Sequence, residues 1–170
     1  MKNNDRFHWM TEVLDVNPSD KLLEVGCGTG VAAEMIAPFL DTGHLMAIDR
    51  SQIMISKSMK RNAVHVKNGK ISFQTIQLAS LPKGKHEYSK IFAFNVNLFW
   101  TQKTICEDSE ILRSHLKKKG LLYLFYQPPA ESFVKKISEP VVRNLETEQW
   151  RIENVLYDKQ TKCACFIARP

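Results

Sequence analysis

The 170-residue chain has the length of one domain with a two-sided core, and its 44% hydrophobic and 25% charged residues are globular values that exclude a disordered or fibrous protein. Lysine and arginine outnumber acids 24 to 18, a net charge of +6. They are scattered at expected element ends (Lys57, Lys60 and Arg61; Lys83 and Lys85; Lys117 to Lys119; Lys135 and Lys136), not gathered into one nucleic-acid-binding stretch.

In chain order, Phe7, Met10, Val13 and Leu14 recur at helical spacing, and Asn17-Pro18 closes that first helix. Lys21 to Val25 is the first strand; Gly26 to Gly30 interrupt it, and a helical stripe of Val31, Ala32, Met35 and Ile36 runs to Pro38. After the turn Asp41-Thr42-Gly43, His44 to Asp49 is a second strand, and Ser51 caps a helix carrying Ile53, Met54 and Met59. Strands follow at Ile71 to Gln74 and Ile91 to Asn95, then a helix around Ser109 to Leu116 and a strand from Leu121 to Tyr126 opened by Gly120. One or two helices are expected between Ala130 and Leu145, depending on whether Pro140 breaks a helix or starts one. Trp150 to Tyr157 and Cys163 to Ala168 are strand-like runs joined by DKQTK, the spacing of a hairpin.

This alternation predicts an α/β fold occupying residues 1–170 as one domain: a mostly parallel, Rossmann-like sheet of seven strands with helices on both faces and an antiparallel hairpin at its C-terminal edge. No apolar run approaches the roughly 18 residues of a membrane span, and the start MKNNDRFHW has no apolar signal core. A cytoplasmic location without membrane association is expected. The four cysteines, Cys27, Cys106, Cys163 and Cys165, are irregularly spaced, as free thiols are. No metal site is expected, since Cys163 and Cys165 lack the spacing of a zinc pair.

At the carboxyl edge of a parallel sheet a strand–glycine–helix junction presents free backbone amides to a ligand, and an acid ending the next strand can accept from both hydroxyls of a ribose. Here the loop is Gly26, Cys27, Gly28, Thr29, Gly30, and the acid is Asp49. A dinucleotide loop reads GxGxxG or GxGxxA, and its third small position would fall on Val31; the third glycine instead comes at Gly30. Glu24, just ahead of the loop, suits a cationic amine better than a pyrophosphate.

ExGxGxG followed by an acid at the next strand end is similar to the first two motifs of class I S-adenosylmethionine-dependent methyltransferases. AIDRSQIM (Ala47 to Met54), Leu81-Pro82, Tyr88 to Phe94, LKKKGLLYLF (Leu116 to Phe125) and the terminal hairpin extend the resemblance over nearly the whole chain. It implies the class I methyltransferase fold, with S-adenosyl-L-methionine as cofactor. By that resemblance Glu24 lies toward the methionine amine, the backbone of Gly26, Cys27 and Gly28 passes beside the methionine part, Thr29 and Gly30 of the same loop are grouped with the cofactor contacts, and Asp49 holds the ribose. Arg50 and Met54 line the adenosine, and Gln77, Leu78 and Ala79 meet the adenine edge. Many members carry an aspartate where Gln77 stands; a glutamine carbonyl still accepts from the adenine amine.

Methyl transfer from a sulfonium needs alignment and desolvation, and only some acceptors need a base, so no catalytic residue is assigned. Asn95, at the fourth strand end, is grouped with the cofactor contacts. Asn97, Trp100, Tyr126 and Gln127 at the strand ends, and His8 on the first helix, are the acceptor-facing candidates. Asn95-Val96-Asn97-Leu98 lacks the double proline and aromatic of adenine or glutamine amino-group methylation, and no proline-cysteine pair suggests covalent attack on cytosine. A small-molecule acceptor is therefore expected, with RNA methylation or cofactor binding without transfer as alternatives.

Overall fold

The computed structural model describes residues 5–130 and 132–170. Seven strands form one sheet: β1 (Lys21–Val25), β2 (His44–Asp49), β3 (Ile71–Thr75), β4 (Tyr88–Phe94), β5 (Leu116–Tyr126), β6 (Arg151–Asp158) and β7 (Cys163–Arg169). Their spatial order is β3-β2-β1-β4-β5-β7-β6. The first five run parallel, while β7 is antiparallel to both β5 and β6, as the sequence pattern anticipates.

The chain moves outward from β1 to β2 and β3, then returns to lay β4 on the other side of β1. Loops leaving β1 and β4 therefore diverge, and the gap between them at the carboxyl ends of the strands is where such sheets take ligands.

Successive side chains of a strand point to opposite faces, and the buried residues divide accordingly. Leu22, Leu45, Phe92, Tyr123 and Phe125 face helices α1 (Asp5–Leu14) and α2 (Val31–Ile36), packing on Phe7, Met10, Leu14, Ala33 and Ile36. Leu23, Val25, Ile91, Leu122 and Leu124 face the other way, onto α6 (Cys106–His115) and α7 (Ser132–Thr147), where Ile111, Leu112, Val141 and Leu145 close the core. Glu24 follows Leu22 onto the α1 and α2 side. No helix among the described residues is long and apolar enough to cross a membrane.

Three details depart from the sequence pattern. Short helices α4 (Ala63–Lys67) and α5 (Leu98–Thr101) follow α3 (Gln52–Arg61) and β4, each too brief to show a period. Strand β5 begins at Leu116, not Leu121: Leu116 pairs with Tyr88 and Leu121 with Lys90, so Lys117 to Gly120 bulge out between two paired stretches. Pro140 lies inside one continuous helix, α7. The carbonyl it leaves unbonded, that of Lys136, belongs to an exposed residue that water can serve.

Candidate functional site

The glycine loop leaves β1 and is pinned first by its neighbour in the sheet: the amides of Gly26 and Cys27 both donate to the Ile48 carbonyl, at 2.8 and 3.0 Å. Asp49, the next residue of β2, accepts from the Gly28 amide through Oδ2 and from the Ser51 amide through Oδ1, both at 2.9 Å. The acid that ends β2 thus shapes the loop as well as facing the cleft. Gly26 has φ +74°, and a Cβ there would sit 2.6 Å from Val96 Cγ2, so the β4 loop approaches so closely that only glycine fits.

Two wholly buried polar residues, Ser58 in α3 and Asn62 at its C-terminal cap, hold the loop carbonyls. Ser58 Oγ donates to Gly28 O at 2.7 Å, and Asn62 Nδ2 donates to Gly30 O at 3.0 Å. Gly30, φ +73°, has no room for a Cβ beside them, which explains the third glycine at this position. Sequence reasoning missed both residues. Their signal was a polar pair at positions i+3 and i+7 from Ile55, on the face where the helix buries its apolar residue.

Two cavities lie on either side of the loop, and Gly26 and Asn95 belong to both. The larger, about 540 Å³, is walled by Asp49, Arg50, Gln77, Leu78, Ala79 and Asn97, and it runs on to Thr101, Gln102 and Asp108. Its size is that of small-molecule sites, roughly 300–1,000 Å³. The smaller, about 220 Å³, holds Glu24, Cys27, Gly28 and Thr29 from the loop side and Arg6 and Phe7 from α1. Arg6, Thr101, Gln102 and Asp108 had no motif to mark them; only folding brings them to the cleft.

Glu24 is 2% exposed, and its Oε2 has no hydrogen-bond partner among the described residues. Burial, reinforced by the nearby Asp49 charge, raises its pKa to about 8, so near neutrality the carboxyl is mostly protonated. Burial likewise pushes the Cys27 thiol up to about 12, which leaves it inert as a nucleophile.

Of the acceptor-facing candidates, Asn97 lines the larger cavity, while Gln127 contacts Arg6 and Asn95. Asn95 adopts φ +56° and accepts the Gln127 amide on Oδ1 at 2.8 Å, tying the ends of β4 and β5 together. Tyr126, Trp100 and His8 line neither cavity. Tyr126 is buried, donates its hydroxyl to the Val96 carbonyl at 3.0 Å, and has its pKa driven far up by burial, so it supports the loop and cannot serve as a base. Trp100 packs against the core, and His8 points to solvent from α1. Met54 and Gly30 also stay outside both cavities. Met54, at the start of α3, hydrogen-bonds through its amide to the Ser51 cap.

A glycine loop at the switch point of a doubly wound sheet, an acid at each of two adjoining strands and a cleft divided by the loop define a Rossmann-like ligand-binding protein. Residues 22–120 match the family model described as a methyltransferase domain, and the chain belongs to that family. YrhH of Bacillus subtilis (strain 168), named as a candidate methyltransferase, is 25% identical over 88 residues, which is 52% of this chain and 48% of that protein. The match thus spans about half the length of this curated relative. Among solved structures, a SAM-dependent methyltransferase from Aquifex aeolicus is similar with a TM-score of 0.79 at 15% identity, covering 95% of this chain and 88% of that one. The geranyl diphosphate C-methyltransferase of Streptomyces coelicolor A3(2), solved with Mg2+, geranyl diphosphate and S-adenosyl-L-homocysteine, is similar with a TM-score of 0.73 at 10% identity, covering 96% and 79%. The fold is the mostly parallel, Rossmann-like sheet of class I methyltransferases.

Proposed function

We propose that the protein is an S-adenosylmethionine-dependent methyltransferase acting on a small-molecule acceptor. The observation that carries the reading is the buried, unpartnered Glu24 carboxyl in a small cavity beneath the glycine loop, with Asp49 at the edge of a larger cavity across it. A buried acid without a partner is costly unless a ligand completes it, and a cationic amine does so. Asp49 keeps lone pairs beyond those taken by the Gly28 and Ser51 amides for a ribose diol. The residues present therefore fit S-adenosylmethionine, with Glu24 holding its amine, Asp49 its ribose, and Arg50, Gln77, Leu78 and Ala79 its adenine.

Bound there, the cofactor supplies an electrophilic methyl group. The chain's own part is alignment and exclusion of water at the junction of the two cavities, which Gly26 and Asn95 both line. Among the described residues, those shared by the two cavities, Gly26 and Asn95, offer no general base.

A small acceptor is favoured over RNA by the placement of the one run of three consecutive lysines, although Arg50 and Arg61 stand singly beside the cleft. Lys117 to Lys119 are exposed at the opening of β5, whereas the cleft lies at its far end near Tyr126. Because the bulge sets Leu116 opposite Tyr88 and Leu121 opposite Lys90, the path along the strand is shortened, and at roughly 3.3 Å per residue these lysines sit about 20 Å from the reacting centre. The similar geranyl diphosphate enzyme, which is solved with a small molecule, supports the same reading by analogy of fold.

The test has two stages. S-adenosylmethionine or S-adenosylhomocysteine is expected to raise the melting temperature while NAD does not; no shift with either adenosyl ligand in folded protein overturns the cofactor assignment. Labelled methyl transfer into fractionated cell extract should then place label in the metabolite pool. Label in RNA replaces the acceptor class, and no label in any pool leaves a cofactor-binding protein without transfer.

A further inference from the structure

Two buried polar atoms that lack partners among the described residues, Glu24 Oε2 and Arg6 Nε, belong to residues lining the same small cavity. One comes from strand β1 and the other from helix α1, and they do not form an ion pair with each other. Each is an unmet demand of opposite sign. A ligand carrying both an amine and a carboxylate on one carbon meets both at once, whereas a ligand lacking one of these groups leaves one demand unmet.

The guanidinium of Arg6 is already held in place. Its Nη1 donates to Gln127 Oε1 at 2.7 Å, and its carbon lies 4.8 Å from the ring centroid of Phe7 and 5.6 Å from that of Phe94. Gln127 is itself fixed, because its Nε2 donates to the Thr161 carbonyl at 2.9 Å. Helix α1 is anchored by Phe7, Met10 and Leu14, all buried in the core. With Nη1 engaged, the Nε edge of a planar fork is what remains, and that edge matches the two oxygens of a carboxylate.

Resting on the cofactor reading above, we infer that Arg6 anchors the carboxylate of the cofactor's amino-acid end, while Glu24 takes its amine. The N-terminal helix is then a wall of the cofactor site, and the site selects for a zwitterionic amino-acid terminus. Gln127, at the end of β5, is a positioning residue that acts through Arg6.

The test compares S-adenosylhomocysteine with its decarboxylated analogue, by calorimetry, on the wild-type protein, Arg6→Ala and Arg6→Lys. A charge-assisted carboxylate contact corresponds to about tenfold or more in affinity, so the wild type should prefer S-adenosylhomocysteine by that factor. Arg6→Ala should bind the two ligands about equally, with the decarboxylated analogue held as well as by the wild type, and Arg6→Lys should retain part of the preference. An Arg6→Ala protein that keeps the wild-type preference overturns the assignment, and so does one that loses both ligands to the same extent. Wild-type protein that binds neither ligand overturns the cofactor reading itself, an outcome distinct from either of these.

Discussion

Replacing Glu24 with glutamine keeps the shape of the side chain and removes its titration. In the folded protein the carboxyl has a pKa of about 8 against an ordinary value of 4.5. Below pH 4.5 it is protonated in both folded and unfolded chains, and stability is undiminished. Between pH 4.5 and 8 the unfolded chain ionises and the folded one does not, so stability falls as pH rises through that window and levels off above it. At 1.36 kcal/mol per pKa unit, the loss across the window is at most about 5 kcal/mol. Urea denaturation of the wild type and Glu24→Gln at pH 5, 6.5 and 8.5 measures it: the wild type should lose stability relative to the variant with each step. Parallel pH profiles for the two proteins would refute the assignment of Glu24 as a buried, neutral acid. Ligand binding adds a second readout. A cationic amine favours the ionised form, so S-adenosylhomocysteine should release a proton near pH 7, visible as a buffer-dependent binding enthalpy that is absent in Glu24→Gln.

Gly26→Ala places a Cβ 2.6 Å from Val96 Cγ2 at a left-handed backbone position; it should cost about 1–3 kcal/mol by thermal melting, with part of the loss recovered in Gly26→Ala/Val96→Ala. Asp49→Ala removes the acceptor of the Gly28 amide in the loop and the Ser51 amide at the start of α3, together with the expected ribose contact, so S-adenosylhomocysteine affinity should fall by about tenfold or more; unchanged affinity removes the ribose assignment. Tyr126→Phe leaves the Val96 carbonyl short of a donor, which should cost roughly 0.5–1.5 kcal/mol of stability while leaving the pH profile of any transfer activity unaltered. A shifted profile would mean that the phenol takes part in proton transfer after all.

Local sequence was enough for the alternation of strands and helices and for the composition of the glycine loop, because both depend on residues adjacent in the chain. Hydrophobic period marks a strand or helix within a few residues, and the positions of Gly26, Gly28 and Gly30 relative to Glu24 and Asp49 are a matter of counting. The brief helices α4 and α5, the bulge at Lys117 to Gly120 and the unbroken course of α7 through Pro140 were not legible, since each is decided by pairing or exposure and not by local preference.

The surroundings of the loop belong to the tertiary structure alone. Ser58 and Asn62 reach its carbonyls across about thirty residues of sequence, and Tyr126, which stands at a strand end where an acceptor contact was expected, turns inward to the Val96 carbonyl instead. Arg6 joins Glu24 at one cavity only because α1 packs on the face of the sheet to which the even-numbered residues of β1 point. Short-range sequence encodes which atoms the loop can offer. Which distant side chains complete it depends on packing of the whole sheet, where contacts between remote segments carry no local pattern to read.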